Sequence, residues 1–243
     1  VSFAGVIPVV IFDLDDTLFA HRAAVRDGIA AHVARELGTV DAAALQDRWD
    51  DLEEQHYHRY LTGELTYLGQ RHSRARDFMR PLGVEFVDDA AAEDWFETYL
   101  VEYRRAWTLY PDTLPCLDAL DAAGIRIGMI TNGVLGFQLA KLDAMGLTGR
   151  IEHVVTSGEF GYAKPDPRIF LHACSVFGVA PSEAAYIGDR LQTDAIAAAD
   201  AGLKGVWLNR SGATSAEDQA AVAASGVVVI GTLAELPALI SRS

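Results

Sequence analysis

Cysteine is nearly absent from this 243-residue chain: only Cys116 and Cys174 occur, with no paired spacing of the kind that builds a structural metal site. Both fall in amphipathic helical patterns and read as small buried thiols. Long apolar runs are missing too. The stretch around Val227 to Ile230 is too short to cross a bilayer, and the first residues hold no basic segment leading into a long apolar one, so a cytoplasmic location is expected. Positive charge is scarce: 20 Lys and Arg stand against 34 Asp and Glu, and the net charge of −14 opposes attraction to nucleic acid or to an anionic membrane. Neither is expected as a partner. No internal repeat or low-complexity linker occurs, and with 50% hydrophobic residues the chain can bury a sizeable core. His56 and His58, two apart on a helical pattern, do not face one another and read as polar surface.

What is present is concentrated near the N-terminus. In Val9-Val10-Ile11-Phe12-Asp13-Leu14-Asp15-Asp16-Thr17 an apolar strand ends in three carboxylates and a threonine. Burying such anions is expensive unless a cation or hydrogen bonds compensate, which places them at the open end of a strand. In an extended segment Asp13 and Asp15 point to one side and Leu14 to the other. Two oxygen-rich groups sharing a small volume suit a hard divalent cation, most plausibly Mg²⁺, which also accepts substrate phosphate oxygens. Asp16 reads as structural.

Two kinds of sequence follow. Strand patterns at Val9 to Leu18, Ile125 to Ile130, Ile151 to Thr156, Ala184 to Ile187, Gly205 to Leu208 and Val227 to Ile230 alternate with helical ones around 135–145, 167–177, 193–201 and 233–240. This predicts an α/β fold with a Rossmann-like parallel sheet. Between residues 19 and 107 lie only charge-rich helical patterns, near 22–37, 42–61, 68–81 and 91–107, with Gly38, Gly63 and Gly83 at their ends. The expected division is an α/β core of residues 1–18 and 108–243, interrupted after the first strand by an all-helical insertion of residues 19–107.

Ligands in open parallel sheets bind at the carboxyl ends of strands. The residues there form a set: Asp13, Asp15 and Thr17; Thr131-Asn132-Gly133; Lys164-Pro165-Asp166; and Gly188-Asp189 with Asp194 five positions on. That spacing would part Asp189 from Asp194 on a regular helix, so a loop is expected between them. In this order the set resembles the haloacid dehalogenase superfamily over essentially the full chain: Asp-x-Asp-x-Thr at 13–17, Thr131, Lys164, and Gly-Asp-x-x-x-x-Asp at 188–194. The insertion is similar to that superfamily's helical cap. Thr62-Gly63-Glu64-Leu65-Thr66 with Arg71-His72-Ser73-Arg74 is similar to nucleotidase-like and sugar-phosphatase-like members.

The resemblance implies a phosphoryl-transfer site dependent on Mg²⁺. Asp13 would be the nucleophile and Asp15 the proton donor. Asp13, Asp15, Asp189 and Asp194 would surround the metal. Thr131, with the backbone amides of Asn132 and Gly133, would hold phosphate oxygens, and Lys164 would neutralise charge. His21, Arg71 and Arg74 are the insertion's candidates for touching a small phosphorylated metabolite such as a nucleoside monophosphate or sugar phosphate. Because a departing alkoxide needs a proton and a halide does not, the acid at position 15 favours a phosphatase over a 2-haloacid dehalogenase. A phosphomutase is the nearer alternative. A noncatalytic receiver-like phospho-switch fits less well, since here the paired acids come after Lys164. Monomer and homodimer are both compatible with the sequence.

Overall fold

The computed structural model describes residues 6–38 and 42–240. Its first compact unit comprises Val1–Ala20 and Leu109–Ser243. Six strands, β1 (Val9–Phe12), β2 (Arg126–Thr131), β3 (His153–Thr156), β4 (Ala184–Gly188), β5 (Lys204–Leu208) and β6 (Val228–Ile230), form one sheet in the order β3-β2-β1-β4-β5-β6. Every neighbouring pair is parallel. Residues of β1 are fully buried on both faces, as β-branched and aromatic side chains in a central parallel strand should be. Val9, Ile11, Ile130, Phe170, Phe177 and Tyr186 join in one apolar cluster with α8 (Pro167–Phe177).

The register positions the chemistry. Phe12 lies opposite Met129 of β2 and Ile187 of β4, so the chain leaves β1, β2 and β4 side by side at one edge. The neighbours of β1 were reached in opposite directions along the sheet, which makes its carboxyl end the switch point where such sheets bind ligands. The first strand is shorter than its sequence pattern, ending at Phe12 and not at Leu18. Past Asp13 the backbone folds into a tight loop in which the Leu14 carbonyl accepts from the amides of Thr17, Leu18 and Phe19. Asp16 holds φ = 59°, the left-handed region that Asp tolerates better than most residues. Its carboxylate accepts from the Tyr110 hydroxyl at 3.3 Å.

Among its described residues the second unit, His21–Thr108, contains four α-helices: α1 (His21–Leu37), α2 (Ala42–Leu61), α3 (Tyr67–Met79) and α4 (Asp89–Arg105). Thr66 and Asp88 cap α3 and α4, accepting from the amides of Gly69 and Ala91. Its core is aromatic. Trp49 is wholly buried, with the rings of Phe78, Tyr99 and Trp95 at 4.9, 4.8 and 5.7 Å. Where α1 crosses α4, a side chain on Gly28 would sit 2.7 Å from the Tyr103 Cα, so only glycine permits this approach. His58 is exposed as expected, whereas His56 is buried, its Nε2 3.0 Å from Asp77. A helix surface rich in charge gave no hint of that pairing across α2 and α3.

Candidate active site

At the carboxyl edge of the sheet, Asp13 follows directly from β1, its amide still donating to the Ile187 carbonyl at 2.8 Å. The strand thus fixes its backbone, and the side chain is 9% exposed. Lys164, in the loop before α8, reaches it from the opposite side: Nζ lies 2.6 Å from Asp13 Oδ1, 2.7 Å from Asp194 Oδ1 and 2.8 Å from the Tyr186 hydroxyl. Its position is set by Asn132, whose side chain accepts from the Lys164 amide at 2.8 Å and donates to the Lys164 carbonyl at 3.0 Å. The Asn132 side chain therefore clamps the lysine loop.

One carboxylate oxygen from each of Asp13, Asp189 and Asp194 falls within 4.8 Å of the other two. Asp189 extends from the end of β4, and the chain then enters a π-helical turn over Leu191–Ile196 instead of the expected loop. The wider turn lets Asp194 double back, its Oδ2 accepting from the Arg190 amide at 3.0 Å. Such turns inside helices often mark functional sites. Gly188 makes room for it, since a Cβ there would lie 2.4 Å from the Asp194 Cβ.

Concentrated negative charge in a buried site has an electrostatic signature. Burial pushes the Asp13 carboxyl up to about 7, against the pull of Lys164 and with help from Asp194 and Asp15. Asp189 rises to about 8, first through burial and then through Asp13 and Asp194. The Lys164 ammonium is held above its ordinary value by Asp13 and Asp194 despite the opposing effect of burial. Even with Lys164 in place, the acids outweigh the cations around them.

The structure places Thr131 at the end of β2, 1% exposed, with its hydroxyl accepting from Gln138 Nε2 at 2.7 Å. The Gly133 amide donates to Ser157 Oγ at 3.0 Å, because the loop after β2 packs against the start of α7 (Ser157–Phe160). That differs from the phosphate-facing role expected of it. The side chain of Asp15 stands outside the acidic trio and pairs with Lys141 Nζ at 2.6 Å.

Within the helical unit, Arg71 bonds Glu93 at 3.0 Å and also Glu97, and Arg74 bonds Glu53 at 2.6 Å, both arginines being almost fully buried. His21 is 2.9 Å from the Tyr103 hydroxyl and 3.7 Å from Glu53. Burial acts against ionised Glu53, yet Arg74 and His21 hold its carboxyl well below the usual range.

Comparison with known proteins then gives the family. A sequence model of the haloacid dehalogenase-like hydrolases matches residues 7–202. The chain belongs to the haloacid dehalogenase-like hydrolases. It is 33% identical over 211 residues to the glyceraldehyde 3-phosphate phosphatase of Methanopyrus kandleri, covering 84% of each protein. With the ribulose-1,5-bisphosphate 5-phosphatase of Halopiger xanaduensis it shares 32% identity over 242 residues, 96% of this chain and 98% of that one. The fold is also that of the hydrolase YfnB from Bacillus subtilis, solved bound to magnesium: the TM-score is 0.81 at 18% identity over 97% and 99% of the two chains.

Three residues of this haloacid dehalogenase-like hydrolase escaped sequence reasoning. Lys141 and Gln138 lie three apart on α6 (Leu135–Ala144), the spacing of one helix face, and only the apolar periodicity of that segment was visible. Tyr186 looks like any aromatic residue in a buried strand. Its hydroxyl meets Lys164 and lies 3.2 Å from both Asp194 Oδ1 and the Ile130 carbonyl. Among the described residues no helix is long and apolar enough to cross a membrane.

Proposed function

We propose that this hydrolase is a phosphatase that cleaves a small phosphate monoester through an aspartyl-phosphate on Asp13. The observation that carries this reading is the convergence of Asp13, Lys164 and the Asp189–Asp194 pair in one buried cluster at the switch point of the sheet. Both named relatives act on phosphorylated sugars, which favours a sugar phosphate over a nucleoside monophosphate.

The donor set fits Mg²⁺. Three hard carboxylate oxygens lie within 4.8 Å of one another, and two of the acids sit in surroundings that resist their ionisation. Asp13, Asp189 and Asp194 would hold the ion. When bound, Mg²⁺ offsets the repulsion between an anionic phosphate and an anionic nucleophile, roughly 4 kcal/mol for unit charges 4 Å apart at an effective dielectric of 20.

The chain's own residues perform the remaining steps. An Asp13 carboxylate oxygen attacks phosphorus while the ester P–O bond breaks, and the departing alkoxide takes a proton from Asp15. Asp15, now a carboxylate, takes a proton from water as that water attacks phosphorus. The bond to Asp13 breaks and inorganic phosphate leaves. Lys164 neutralises negative charge on the nucleophile and the phosphoryl group, and Thr131 donates its hydroxyl proton to a phosphoryl oxygen. Gln138 donates to the Thr131 oxygen and so leaves that proton for the phosphate.

Residues 21–108 serve as a helical cap in this reading. Of its three candidates, His21 is the most exposed, at 21%, and meets Tyr103 and Glu53. Arg71 and Arg74 are 7% and 5% exposed and brace the helices through their ion pairs. Incubating the protein with a panel of phosphorylated sugars, nucleotides and 2-haloacids, with and without Mg²⁺, tests the proposal. Metal-dependent phosphate release from sugar phosphates is expected; halide release, or no turnover of any monoester, would defeat it.

A further inference from the structure

A lysine buried against the proposed proton donor is not needed for nucleophilic attack, and Lys141 is such a residue. Its side chain is only 3% exposed, while that of Asp15 is 28% exposed. The ammonium is fixed on several sides: 2.6 Å from Asp15 Oδ1, 5.1 Å from the centre of the Phe19 ring and 5.4 Å from that of Phe137. Phe137 lies four residues before Lys141 on α6, on the same face. Phe19 is tied by backbone bridges to Asp15 itself and to Leu109. The cation is therefore held by the loop it serves and grips the carboxylate from the buried side, where a solvent-exposed ion pair would be loose.

We propose that Lys141 is a positioning residue that holds Asp15 Oδ1, as an ion pair with the carboxylate and as a hydrogen bond to the protonated acid, and so assigns proton transfer to the other oxygen, Oδ2. The inference rests on the phosphatase reading. In the first step the proton on Oδ2 passes to the ester oxygen as its bond to phosphorus breaks. In the second, Oδ2 takes a proton from water.

Leaving-group dependence distinguishes this role from a merely structural one. Departure of an alkoxide requires the proton from Asp15, whereas p-nitrophenolate leaves with far less assistance. Removing the grip should therefore penalise alkyl esters selectively. The experiment compares kcat/KM for a sugar phosphate and for p-nitrophenyl phosphate in wild type, Lys141→Met and Lys141→Gln, with circular dichroism melts to establish folding. The ratio of sugar phosphate to aryl phosphate activity should fall at least about tenfold in Lys141→Met, a fraction of the 10²–10⁴-fold typical of general acid catalysis. It should fall less in Lys141→Gln, which keeps a hydrogen-bond donor. Equal losses on both esters in a folded variant would overturn the proposal, as would failure of both variants to fold, which would make Lys141 a structural lysine. Wild-type protein inactive on both esters would instead defeat the phosphatase reading itself.

Discussion

Lys164 donates to three acceptors at once, and two of them are carboxylates that burial penalises. Its replacement by methionine would leave Asp13 and Asp194 facing each other without their cation. Breaking a buried pair in this way costs about 3–5 kcal/mol, so Lys164→Met should lower the denaturant midpoint at neutral pH and abolish turnover. Gln138→Leu should act more mildly. Removing one hydrogen bond to Thr131 costs about 1 kcal/mol of stability, a melting-temperature drop of roughly 2–4 °C, and kcat/KM should fall roughly five- to tenfold as the Thr131 hydroxyl loses its orientation. Asp13 and Asp189 stood out in the sequence as acids directly after apolar strands, whereas Lys164, which alone before Pro165 reads as a solvated loop lysine, was legible only through the order of the whole set. Lys141, Gln138 and Tyr186 were not. A lysine on a helix is ordinary until its partner is known, and for Lys141 that partner lies 126 positions away.

At the scale of elements, the acidic pair depends on how β4 meets the π-helical turn. Gly188→Ala would drive a methyl into Asp194, and overpacking of this kind costs about 1–3 kcal/mol. The variant should remain folded, with kcat/KM reduced at least about tenfold, as steady-state assays and melts would show. In the helical unit, Trp49→Ala removes the centre of the aromatic core, over which the Arg74 guanidinium stacks at 4.2 Å. The expected loss of about 3–5 kcal/mol would appear in urea unfolding. The strands and most helices were legible from their apolar periods. The helix α10 (Ala216–Ser225) was not, since none of its residues is buried and it carries no apolar stripe to read. The π-helical turn was hidden as well, because it accompanies the folding back of Asp194 onto Lys164, thirty positions away, which no local period shows.

For the whole molecule, the raised acids link stability to pH. Above about pH 4 the unfolded chain has released the protons of Asp13 and Asp189, whereas the metal-free folded protein keeps them up to about 7 and 8. Folding thus retains protons in that window, and the contribution of these groups is complete below it and lost as pH rises through it. Buried His32 and His56, whose values are lowered by burial, work in the opposite direction near pH 6, so a difference between variants is the cleaner readout. In metal-free melts Asp189→Asn should lie close to wild type near pH 4 and exceed it by a margin that grows steadily up to about pH 8, while losing the stabilisation that Mg²⁺ gives wild type at the higher pH. A difference that does not change with pH would contradict the assignment.

Covalent phosphorylation of Asp13 is tested most directly by acid-quenching the enzyme during turnover of a sugar phosphate, reducing with borohydride and mapping the peptides by mass spectrometry. An acyl-phosphate at that position predicts homoserine in place of Asp13, dependent on both substrate and Mg²⁺. Turnover accompanied by an unmodified Asp13, or by reduction at another carboxylate, would contradict it.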